Sequence, residues 1–204
     1  MDRPQHMEEM LGNVLAMFSK FGIRSVTMDD IARKLGVSKK TLYQQVSDKN
    51  DLIDKVIEFE LDQRRGFMEM LDGTSVNAID ELIKVNSQIH NALRSHNPTF
   101  YYDLKKYHPE TFRRWMDARR ERMYALITSN MVKGKQEGLY RKDLNENVIA
   151  RLYMARMEMI NDNEIIHEGV ADSVDFVKEI FIYHLHGICN EEGLKYLEEQ
   201  KELI

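Results

Sequence analysis

Apolar residues recur at three- and four-residue intervals along nearly the whole chain, a spacing that predicts helices throughout. Over residues 5–20, Met7, Met10, Leu11, Val14, Leu15 and Phe18 share one face, and Phe21-Gly22 closes the segment. Thr27 stands where a helix N-cap belongs, with Asp29 and Asp30 in the first turn, where carboxylates favour the positive end of the helix dipole. The predicted helix Met28 to Leu35 ends at Gly36. After a turn of three residues Ser38 caps the next helix, Lys39 to about Val46. A long helix then runs from Ser47 or Asp48 through Leu71, with Leu52, Ile53, Val56, Ile57, Leu61 and Met68 facing a core.

Asp72-Gly73-Thr74-Ser75 breaks that helix. Further helices are predicted from about Val76 to Arg94, Glu110 to Val132, Glu146 to Asp162 and Ala171 to Ile188, with a short one after them. Pro98 and Pro109 bound a short aromatic segment. There is no internal repeat and no low-complexity tract. The expected fold class is all-α: a three-helix N-terminal head over 1–47 and a larger helical body over 48–204.

Composition narrows the setting. Hydrophobic residues at 43% and charged residues at 31% describe a globular chain, not a disordered one. The N-terminus MDRPQHMEEM lacks the apolar stretch of a signal peptide, and no run reaches the roughly 18 apolar residues of a membrane span. Cys189 is the single cysteine, so an intramolecular disulfide and a cysteine-based metal site are both excluded. A cytoplasmic location without a membrane partner is the expectation. The net charge of −5 speaks against nucleic acid, but it is unevenly spread. Residues 23–50 carry +3 and residues from 51 onward −7, as in a basic head on an acidic body.

The 27–49 stretch, TMDDIARKLGVSKKTLYQQVSDK, then becomes informative. Ile31, Leu35, Val37, Leu42 and Val46 can share a small core, Ala32 permits close helix approach, and Gly36 makes the turn. This is the pattern of a helix-turn-helix, whose second helix enters a major groove. Lys39, Lys40, Tyr43 and Gln44 are left on the outward side, with 39/43 and 40/44 adjacent at four-residue spacing. Lysines neutralise phosphates or reach guanine, glutamine pairs with adenine, and a tyrosine hydroxyl donates to phosphate. Two helix N-termini, at Thr27 and near Asp48, offer backbone amides to flanking phosphates. The competing reading is an ordinary helical corner with a solvated basic face.

The stretch resembles the DNA-binding signature of the tetracycline-repressor (TetR) family of bacterial regulators. The matching positions are Thr27, Ile31-Ala32, Gly36-Val37-Ser38, Thr41-Leu42-Tyr43, Lys49 and Leu52, in order and without gaps. Val46 departs from the phenylalanine of many members, a change of packing and not of DNA contact. The resemblance implies a homodimer that reads a palindromic operator in double-stranded DNA, together with a body that holds a small-molecule effector. It further implies that Thr27, Tyr43 and Lys49 hold phosphates. Lys39, Lys40, Thr41, Gln44 and Gln45 would face bases, with Ser38 completing the DNA-binding set. A ligand would act by favouring one arrangement of the 49–71 helix, whose tilt would set the spacing of the two heads.

In the family the last two long helices pair with their partners in a four-helix bundle. Here both are apolar over more than one stripe, wider than a helix buried in one subunit needs. Leu152, Met159, Val177, Phe181, His184 and Ile188 are the expected dimer contacts. The middle of the chain is rich in aromatics and methionines suited either to an adaptable pocket or to plain core. The pocket candidates are Phe100, Tyr101, Tyr107, Phe112, Trp115, Met116, Met123, Tyr153 and Met157. His184 and His186 point about 200° apart on a helix and so cannot share a metal ion. No phosphate loop or nucleophile elbow occurs. No cofactor, no metal and no enzymatic activity are expected. A small-molecule binding protein that keeps the head only for packing, or an enzyme using the aromatic cavity, are the competing functions.

Overall fold

The structure, a computed structural model, describes residues 3–74, 77–95, 98–161 and 173–200, and within them the side chains of all but 3–5, 64–74, 89–95, 157–161, 173–175 and 177. Every regular element among the described residues is a helix, as the periodicity predicts. They are α1 (Arg3–Phe21), α2 (Met28–Leu35), α3 (Lys39–Tyr43), α4 (Lys49–Thr74), α5 (Ala78–Ser95), α6 (Pro98–Tyr107), α7 (Pro109–Gln136), α8 (Glu146–Asn161), α9 (Ser173–Ile188) and α10 (Glu191–Glu199). One isolated antiparallel bridge joins Tyr140 to Cys189.

The chain forms two compact units, Met1–Met68 with Ser95–Arg119 and Glu69–Arg94 with Arg120–Ile204. That division differs from a cut at residue 47. The first unit takes in most of α4, all of α6 and the start of α7, because their apolar faces complete the core of the head. Phe18, Ile31, Leu42, Leu52, Ile53 and Val56 pack in one cluster with Phe100, Leu104 and Trp115. Trp115 is held there by its indole N–H, which donates to Glu60 at 2.8 Å, and by edge contact with Phe100 at 6.2 Å between centroids.

The second unit has a separate core of Ile79, Leu82, Ile127, Met131, Tyr140, Tyr153, Phe181 and Leu185. Gly134 lets the Tyr140 ring lie against α7, since a Cβ there would come within 2.1 Å of the ring. The Tyr140 hydroxyl donates to Asn130 Oδ1 at 3.0 Å, and Asn130 Nδ2 donates to the Ala78 carbonyl at 2.9 Å. Buried amide and phenol thus satisfy each other, and desolvation pushes the Tyr140 pKa well above its ordinary value.

Candidate nucleic-acid interface

The sequence from Gly22 to Lys49 builds its surface from the caps outward. Gly22, at φ 82°, ends α1 in the left-handed region. Thr27 caps α2 in a full capping box: its hydroxyl accepts from the Asp30 amide at 3.2 Å, and Asp30 Oδ2 accepts from the Thr27 amide at 3.0 Å. The Thr27 hydroxyl also donates to Asp30 at 2.6 Å, and these bonds, ahead of Arg33, hold the Asp30 pKa below its ordinary value. Gly36 at φ 67° closes α2 and turns the chain, its Cβ position open to space. Ser38 then caps α3, accepting from the Thr41 amide at 3.0 Å.

Helix α3 is shorter than the periodicity predicts. It spans five residues and tightens after Tyr43, where Gln44 and Gln45 donate to carbonyls three residues back, Thr41 and Leu42. Leu42 and Val46 are buried on its inner side with Ile31 and Ala32. Lys39, Lys40, Thr41, Tyr43, Gln44 and Gln45 are all exposed. Lys39 pairs with Asp29 at 2.9 Å across two exposed side chains, a contact of little strength that leaves the ammonium available. Thr41 and Gln45 also border a cavity of about 210 Å³ shared with His6, Asn13 and Lys34.

Lys49 does not stand outward as its position at the start of α4 suggests. Its ammonium donates to the carbonyls of Ile23 at 2.7 Å and Val26 at 2.5 Å, so it ties α4 to the α1–α2 loop. Burial lowers its pKa, against the pull of Asp103 and Asp30. The start of α4 is shaped instead by Asp48, whose carboxylate accepts from the amides of Asn50 at 2.7 Å and Asp51 at 2.9 Å. The α1–α2 loop has a second fastening that sequence reasoning missed. The Arg24 amide donates to the buried Asp103 on α6 at 2.8 Å, and its guanidinium donates to the Tyr107 hydroxyl at 2.9 Å. No local pattern marks a pair 79 residues apart.

The proposed pocket residues are divided between the two units. Phe100, Tyr101, Phe112, Trp115 and Met116 belong to the core of the first unit or pack against it, and Tyr107 lies exposed beside Arg24. Met123 and Tyr153 belong to the second unit, and the Met157 side chain lies outside the described residues. Of the expected dimer contacts, Phe181 and Ile188 are buried within the second unit, while Leu152 is exposed. His184 is part-buried against Tyr153, and the side chains of Met159 and Val177 lie outside the described residues. Among the described residues no cluster of metal-ligating side chains forms, and no helix is long and apolar enough to cross a membrane.

Residues 15–56 match the family described as bacterial regulatory proteins, tetR family. The chain is similar to the HTH-type transcriptional regulator YvaF of Bacillus subtilis, 26% identical over 171 residues, covering 82% of this chain and 88% of that one. It is also similar to the HTH-type transcriptional repressor KstR2 of Mycobacterium tuberculosis, 23% identical over 147 residues, covering 70% and 73%. A transcriptional regulator from Saccharomonospora viridis, solved in complex with choline, shares the fold at a TM-score of 0.73 and 17% identity, over 93% of this chain and all of that one.

Proposed function

We infer, from residues 15–56 being a head of the bacterial tetR family, that the chain is a sequence-specific DNA-binding transcriptional regulator that responds to a small molecule. The observation that carries this reading is the sorting of the 27–49 segment. Its apolar members close a core with α1 and α4, and Lys40, Thr41, Tyr43, Gln44 and Gln45 are left exposed on and just after α3. The named function of KstR2 supports repression as the sense of regulation, and the choline-bound structure supports a body that takes a small molecule.

Within that reading Tyr43 and the backbone amides at the start of α2 serve phosphates, and Lys39, Lys40, Thr41 and Gln44 face bases. Lys49 acts on DNA indirectly, by fixing the loop that presents Thr27. Dimerisation is supported by apolar side chains left uncovered in the second unit: Leu152 on α8 is 61% exposed and Tyr183 on α9 is 82% exposed. A second copy of the chain covers such a face, and two heads then address the two halves of a palindrome. To release the operator, the effector must bind the DNA-incompetent state more tightly than the competent one.

Fluorescence anisotropy on labelled duplexes across a range of salt concentrations tests the docking face. Tyr43→Phe should weaken binding to every duplex without changing which sequence is preferred, and Gln44→Ala should change preference at one base position. Unchanged binding in both variants would mean that α3 does not face DNA.

A further inference from the structure

In the second unit, between α8 and α9, lies a polar cluster that none of the roles above uses. The Arg156 guanidinium sits 4.0 Å from the Tyr153 ring centroid, and its Nη1 donates to the Ile180 carbonyl at 3.1 Å. His184 meets the same tyrosine edge-on, with centroids 5.1 Å apart. Two atoms of this cluster, Arg156 Nε and His184 Nε2, are buried without a hydrogen-bond partner.

A guanidinium removed from water needs a counter-charge, and a buried donor without an acceptor is costly. No carboxylate among the described residues supplies one. Among the described residues, Arg156 is acted on by its own burial, which lowers its pKa, and by Tyr153, which raises it. On the α9 side His184 is held neutral, its pKa lowered to about 3 by burial first and by Arg156 second. A neutral imidazole beside a fixed cation can present Nε2–H to an anion without adding charge. Tyr153 forms the wall and excludes water, which strengthens any ion pair made there. Arg156 and His184 each keep partial exposure as residues, while the two orphaned atoms themselves are buried.

We propose that Arg156, His184 and Tyr153 form a binding site for an oxyanion, the carboxylate or phosphate group of a small-molecule effector. The proposal rests on the reading of the chain as a small-molecule-responsive regulator and gives that molecule a chemical class. Arginine supplies the charge and a directed Nε–H, histidine a second polar contact, and tyrosine a face for the apolar part of the ligand. An anion taken here completes the bonding of both orphaned atoms.

The test is nuclear magnetic resonance on the full chain with 15N-labelled arginine, titrated at constant ionic strength with acetate, with inorganic phosphate and with neutral acetamide. One Nε–H resonance should shift saturably with an oxyanion and not with acetamide, and it should be absent from Arg156→Met. A response to acetate alone identifies a carboxylate site, and a response to phosphate alone a phosphate site. No saturable shift with either anion, or the same shift in Arg156→Met, would overturn the proposal. So would a melting temperature for Arg156→Met far below that of the parent, which would mark the arginine as a structural strut. Operator binding by the parent without added anion is measured alongside. Its absence would strike the regulator reading, while the titration would still decide the anion site.

Discussion

At the residue scale, Lys49 shows how position and orientation part company. An ammonium at the first turn of a helix in a DNA-binding head is placed to meet phosphate, and the sequence resemblance assigns it that task. The structure turns it onto the carbonyls of Ile23 and Val26. Lys49→Met should therefore destabilise the chain, by about 1–3 kcal/mol if both carbonyls lose their donor, as measured by urea unfolding. An unchanged midpoint would restore the outward, phosphate-facing role. His184 makes a second prediction. Its folded pKa, lowered to about 3 by burial and by Arg156, lies below the ordinary 6.5, so the unfolded chain binds the extra proton between these values. Its contribution to stability is complete above pH 6.5 and is lost as pH falls toward 3. Over that window the parent should lose up to about 1.4 kcal/mol more per pH unit than His184→Phe. Parallel stability curves for the two proteins would contradict the burial of that ring.

At the scale of elements, the head was legible because its signals are local. Thr27, Gly36 and Ser38 mark the ends of α2 and the start of α3 within twelve residues, and each does in the structure what its chemistry suggests. Thr27→Ala removes one side of the capping box and should cost about 1 kcal/mol in thermal or urea unfolding; no change would mean that the box does not stabilise α2. The early end of α3 was not legible, since Gln44-Gln45 carries no breaker and the tightening comes from hydrogen bonds that sequence does not display. The aromatic and methionine set divides between the two units in a way that sequence does not display. Helix α7 has 28 residues, about 42 Å at 1.5 Å per residue, and takes part in both compact units. Phe112, Trp115 and Met116 thus serve one core and Met123 another, although they look continuous in sequence. The Arg24–Asp103 contact was likewise invisible, because it depends on how α6 folds back on a loop far upstream.

At the scale of the whole molecule, the proposed function calls for two heads. Among the described residues, Leu152 and Tyr183 are the large apolar side chains of α8 and α9 left most exposed, and a monomer has little reason to display them. Leu152→Lys with Tyr183→Lys should shift the chain from dimer to monomer in sedimentation equilibrium and weaken operator binding, with helicity retained. A variant that stays dimeric would place the interface elsewhere. Selection of bound fragments from random duplex DNA by the purified full chain, at near-physiological salt, bears most directly on the central claim. The expected result is a palindrome whose half-sites lie about one helical turn apart, roughly 34–36 Å. Recovery of fragments without sequence preference, from protein that is folded and dimeric, would contradict it.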